Sequence, residues 1–149
     1  MKPIEQWFAV VLTKMVEMVP PSPHGMSNKE LDTAGRELFG KKYVGTFPQD
    51  KMSNKKGYQI INVDISGAPG SHWVALYCTE KTLYVYDSFG RPTKELLKWL
   101  TASAKRMKLK VVDAEYDAEQ SHLQTICGQM CLSWLYTVEK KGIRQAIRI

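Results

Sequence analysis

His72-Trp73-Val74-Ala75-Leu76-Tyr77-Cys78 and Leu83-Tyr84-Val85-Tyr86-Asp87, separated by a short turn around Glu80 and Lys81, read as the two strands of a β-hairpin. Antiparallel pairing brings their outer ends together, so His72 and Asp87 are expected side by side at one end of a sheet. Upstream, Tyr58 to Ile65 alternates as a third strand. Ile61, Val63 and Ile65 fall on one face, and Tyr58, Ile60, Asn62 and Asp64 on the other. The loop Gly67-Ala68-Pro69-Gly70 joins this strand to the hairpin, and Leu109 to Val112 is a further short strand.

Helices flank these strands. Trp7, Phe8, Val11, Met15 and Met18 recur at helical spacing over residues 5 to 19, and Pro20, Pro21 and Pro23 stop the helix. Ser27-Asn28-Lys29-Glu30 has the form of a capping box, so a second helix starts near Asn28. Leu31, Leu38 and Phe39 supply its apolar side, and Gly40 suits its end. Residues 41 to 57 read as a loop. Pro92 suits the first turn of a helix that runs to about Arg106. A last helix begins near Cys127, carries Met130, Cys131, Trp134, Leu135 and Val138, and stops at Gly142.

The pattern predicts an α+β fold, a small mixed sheet covered by helices. The 149 residues suffice for one domain with its own core. Residues 1–26 are expected as a helix-and-proline extension, and 27–149 as the core domain. The extension could be an inhibitory segment, a dimer arm or part of the core. No apolar run is long enough to span a bilayer, and Glu5, Lys14 and Glu17 argue against a secretory leader. Three cysteines without framework spacing point to a reducing compartment.

The net charge of +6 and the lysine clusters around residues 41–56, 105–110 and 140–148 admit two readings. One is non-specific attraction to nucleic acid, weakened by salt. The other is a solvated lysine-rich face.

The chemistry lies in the order His72, Asp87, Gln120, Cys127. A thiol attacks as its thiolate, and the unpaired N–H groups of a helix start favour that anion. Cys127 is therefore the candidate nucleophile. Cys131, one turn on, is expected to point into the core, and Cys78 to pack within its strand. His72 can accept the thiol proton and return it to a leaving amine. Asp87 can orient the imidazole, or make an Asx-turn with Ser88 to Gly90, or both. Gln120 is the candidate oxyanion donor with the Cys127 N–H, and Gln124 competes for the role. Trp73 could shield the imidazole or belong to the core, and Gly128 would leave room for a substrate backbone. His24, His72 and His122 with the cysteines have no CxxC or HxxxH spacing, so no metal site is expected.

The segments Gly70-Ser71-His72-Trp73, Tyr86-Asp87-Ser88-Phe89-Gly90 and Gln120 with Cys127-Gly128 together resemble the adenovirus protease (adenain) family. They are more distantly similar to the ubiquitin-like-protein proteases of the same clan. The resemblance extends to the helix at 28–39 and Tyr43-Val44-Gly45-Thr46-Phe47, covering roughly residues 27 to 140. It implies a papain-like, adenain-like fold and a cysteine endopeptidase with Cys127, His72, Asp87 and Gln120 in the site. Gly70, Trp73 and Gly128 would lie along the substrate. Adenain has a glutamate at the acid position, whereas aspartate is usual among the ubiquitin-like-protein proteases. Residues 1–25 have no counterpart in adenain, and the chain after Cys127 is shorter.

The function so implied is cleavage of viral structural (capsid) precursors near glycine during virion maturation. Its setting would be the virion and the nucleus or cytoplasm of the infected cell, with no secretion. The enzyme is expected to be a monomer that needs no cofactor, with DNA as a candidate activator and no membrane partner. A deubiquitinase or modifier protease acting on host conjugates uses the same chemistry. An acetyltransferase with a related His-acid-Cys set and a non-enzymatic DNA-binding module are further alternatives.

Overall fold

The computed structural model describes residues 2–64, 72–114 and 126–149. In chain order its elements are α1 (Pro3–Met18), α2 (Asn28–Phe39), β1 (Tyr43–Pro48), β2 (Gly57–Asn62), β3 (Trp73–Cys78), β4 (Thr82–Tyr86), α3 (Thr93–Leu96), α4 (Lys98–Arg106), β5 (Lys110–Asp113), α5 (Cys127–Lys141) and α6 (Ile143–Ala146). The described residues form an α+β structure around a five-stranded mixed sheet with the order β1-β2-β3-β4-β5. The hairpin forms as predicted, with Ala75 opposite Tyr86 and Cys78 opposite Leu83. β2 pairs antiparallel with β3, Asn62 facing Trp73. β1 and β5 add parallel strands at the two edges.

Strand alternation divides the sheet into two cores. Val74, Leu76 and Cys78 of β3 join Ile61, Leu83 and Val85 against Leu97, Leu100 and Ala104. On the other face, Tyr58, Ile60, Ala75 and Tyr86 meet Met130, Cys131, Trp134 and Leu135 of α5. Tyr86 stacks on Trp134 with ring centroids 5.4 Å apart. α1 lies on this same side and buries Ile4, Phe8, Val11 and Met15. Phe8 reaches within 6.1 Å of the Tyr86 ring. Each such large apolar side chain contributes about 1.5–3 kcal/mol by leaving water. Of the roles open to residues 1–25, these contacts give α1 that of a core element.

The capping box is complete. Ser27 Oγ accepts from Glu30 N at 3.1 Å, and Glu30 Oε1 accepts from Ser27 N at 3.0 Å. Three details differ from expectation. The predicted loop at 41–57 contains strand β1, whose apolar pattern is interrupted by Gly45 and Thr46. Gly45 has φ 152° at a shift of register, and a Cβ there would meet the Phe47 ring at 2.6 Å. The helix expected from Pro92 to Arg106 breaks at Leu97 (φ −124°), which turns that fully buried side chain into the sheet. α6 was not expected. It is docked by Trp134, whose Nε1 donates to the Ala146 carbonyl at 2.9 Å. The predicted strand 58–65 ends at Asn62, and its last position, Ile65, lies outside the described residues. Among the described residues, no helix is long and apolar enough to cross a membrane.

Candidate active site

Three elements converge at one end of the sheet. His72 immediately precedes β3, and its carbonyl accepts from Val63 N at 3.0 Å, which extends the pairing with the β2 side. Asp87 immediately follows β4. The hairpin register therefore delivers both side chains to the same place, and His72 Nε2 lies 2.6 Å from Asp87 Oδ1. Both residues are 5% exposed.

Asp87 is fully engaged. Oδ1 also accepts from Phe89 N at 3.2 Å, while Oδ2 accepts from Arg91 N at 3.1 Å and Arg91 Nε at 3.0 Å. The expected Asx-turn and the contact with His72 thus coexist. Burial pushes the Asp87 carboxyl upward, but the hydrogen bonds from His72, Arg91 and the Phe89 N–H outweigh it and hold it below the usual range. Asp87 is therefore an anion with both oxygens fixed.

His72 feels the opposite balance. Burial disfavours its cation, yet the hydrogen bonds to Asp87 and to Cys127 prevail and raise its pKa. Since Nε2 is committed to Asp87, Nδ1 is the ring nitrogen left for the thiol. Phe89 fixes the ring from one side, stacked at 4.5 Å and 11°. The Arg91 guanidinium covers Phe89 at 5.0 Å from its centroid. Asp87, His72, Phe89 and Arg91 thus form a closed ring of contacts.

Cys127 is the first residue of α5, and Ile126 at the N-cap has no side-chain acceptor to offer the helix start. The N–H groups of a helix's first turn have no acceptor within the helix, and a nearby anion is favoured by them. The other thiols are held neutral by burial. Burial, with the charges of Cys127 and Asp87, pushes Cys131 well above its ordinary range, and burial raises Cys78. All three cysteines are free.

Gly128 requires a correction. It was expected to give a substrate room, but it is buried in α5, and a Cβ there would meet Met26 Sδ at 3.0 Å and Leu31 Cδ2 at 3.3 Å. Its missing side chain lets α5 approach Met26 and α2. Trp73 is half-buried, and its Nε1 donates to the Met26 carbonyl at 3.0 Å. Gln120, its competitor Gln124, and Gly70 lie outside the described residues.

The sequence reading missed Arg91, Phe89 and Met26 as supports of the site. Arg91 carried a weak signal, a cation four residues after the acid. Met26 carried a better one. It precedes the Ser27 cap and Leu31 sits at the fourth helical position, the pairing of a hydrophobic staple. Among the described residues, no group of three or more His, Cys, Asp or Glu is placed to hold a metal ion.

Chemically, the arrangement offers a thiol at the head of a helix and an imidazole whose orientation Asp87 and Phe89 fix. No family model matches the chain, and no curated protein matches its sequence.

Proposed function

We propose that this protein is a cysteine endopeptidase of the adenain type. The observation that carries the reading is the buried His72–Asp87 hydrogen bond of 2.6 Å, with Cys127, at the head of α5, contributing to the raised pKa of His72. In this reading Cys127 Sγ passes its proton to His72 Nδ1 and attacks a peptide carbonyl. The Cys127 N–H, with Gln120, receives the oxyanion. The imidazolium then protonates the leaving amine as the C–N bond breaks. Water, deprotonated by His72, hydrolyses the thioester and restores the thiol.

The resemblance to adenain supports viral structural precursors, cut near glycine, as the substrates. The basic surface supports DNA as an activator. The test is cleavage of glycine-containing precursor peptides by the wild-type protein and by Cys127→Ala. Wild type should cut, and the variant should lose at least about 10³-fold in rate with its fold intact. Equal cleavage by the variant would sink the proposal. Cleavage of ubiquitin-like conjugates in preference to the peptides would keep the chemistry and replace the substrate.

A further inference from the structure

The segment between α1 and α2 runs past the head of α5 and is fastened at both ends. At its start, the Val19 carbonyl accepts from Gln129 Nε2 at 2.9 Å, and Gln129 is fully buried two residues after Cys127. At its end, Met26 touches both halves of the site. Its carbonyl accepts from Trp73 Nε1 at 3.0 Å, next to His72. Its side chain stands over Gly128, next to Cys127, so closely that a Cβ on Gly128 would lie 3.0 Å from Sδ. Between these ends, Pro20, Pro21 and Pro23 fix φ and stiffen the backbone. Ser22 and Gly25 close a turn, with Gly25 N donating to the Ser22 carbonyl at 3.1 Å and Ser22 Oγ to the Gly25 carbonyl at 2.9 Å. The buried face of α1 anchors the start of the segment, and the capping box of α2 anchors its end.

We propose that residues 19–26 are a brace that sets the separation of Cys127 and His72, and that Met26 is its positioning residue. Met26 joins the neighbours of both groups, Trp73 through its carbonyl and Gly128 through its side chain. The physical need is plain. The nucleophile sits on a helix and the base on a strand, and proton transfer tolerates little error in their spacing. A stiff segment tied to both removes the freedom of one to slide against the other. Met26 suits the place because a flexible thioether fills the irregular gap above a glycine.

This inference rests on the reading of Cys127 and His72 as nucleophile and base, and the experiment separates the two. The rate of Cys127 alkylation by iodoacetamide is measured against pH, by mass spectrometry on the intact full-length chain. Wild type, His72→Ala, Met26→Ala, Met26→Leu and Trp73→Phe are compared, with Cys78 and Cys131 as internal references. In wild type, Cys127 should react fastest, and His72→Ala should remove its advantage near pH 6–7. Met26→Ala should lose about 10- to 100-fold of that low-pH rate, while its rate at pH 9 stays near the wild-type value. Met26→Leu should restore most of the loss. Trp73→Phe keeps an aromatic side chain of smaller size and removes the hydrogen bond to Met26, so it should shift the profile in the same direction by a smaller factor. It answers the question even if Met26→Ala fails to fold. A wild-type profile in Met26→Ala, or in Trp73→Phe where only that variant folds, overturns the brace and leaves the nucleophile standing. A uniform fall at every pH, without a change of profile, makes Met26 merely structural. If His72→Ala changes nothing, the protease reading fails and the brace with it.

Discussion

The two faces of the sheet do different work. The face under α3 and α4 is aliphatic, with Ile61, Val74, Leu76, Leu83 and Val85 closed by Leu97, Leu100 and Ala104. The face under α5 is aromatic and mixed. Tyr58, Tyr86 and Trp134 share it with Gln129, Ser133 and Thr137, all three fully buried. Ser133 Oγ and Thr137 Oγ1 donate back along α5 to the carbonyls of Gln129 and Ser133, each at 2.8 Å. The first face stabilises mainly by area removed from water, with one fully buried polar side chain, Gln59, bonded to the Ser53 backbone. The second lies under α5, which carries Cys127 and is tied through Gln129 Nε2 to the Val19 carbonyl. A site built from a helix and a hairpin needs both, a firm floor on one side and a directional fit on the other.

Substitutions can break or sharpen this contrast. The largest effect is expected at the junction itself. Asp87→Asn should lower kcat/KM about 10²- to 10⁴-fold, because the imidazole loses the anion that orients it. Peptide cleavage kinetics check this, and a loss below tenfold would remove Asp87 from the reading.

Next come the two cores. Leu100→Ala on the aliphatic face and Phe8→Ala on the α5 face should each cost about 2–5 kcal/mol in denaturant titrations. Only Phe8→Ala should also reduce the preferential alkylation of Cys127, since α1 packs on the helix that bears it. Equal effects of both on alkylation would erase the distinction between the faces.

Electrostatics at the junction sharpen the contrast further. The lowered pKa of Asp87 contributes stability above its unfolded value, lost as pH falls through the folded one. The raised pKa of His72 contributes stability below its unfolded value, lost as pH rises through the folded one. The pair should therefore help most between about pH 4 and 6.5. The stability gap between wild type and His72→Gln should shrink as pH rises toward 9, and a flat gap would deny the coupling. The smallest effect is expected at the cap. Ser27→Ala should cost about 0.5–2 kcal/mol and leave the pH profile of alkylation nearly unchanged.

Much of this was legible in the chain itself. Strand alternation and the short turn specified the hairpin, and the hairpin alone set His72 beside Asp87. Ser27 and Glu30 specified the start of α2, and the helical period and Gly142 bounded α5. These are local signals, carried by residues close together in sequence. Tertiary structure decided what local signals could not. β1 became a strand only because β2 offered it a parallel partner, and α6 formed where Trp134 could reach Ala146. Gly128 looked like space for a ligand and proved to be space for Met26, which approaches from 102 positions earlier in the chain. Arg91 and Phe89 became supports of His72 through stacking and a shared carboxylate. Periodicity and capping report what a segment prefers by itself, whereas these contacts depend on which distant surfaces the folded chain brings together.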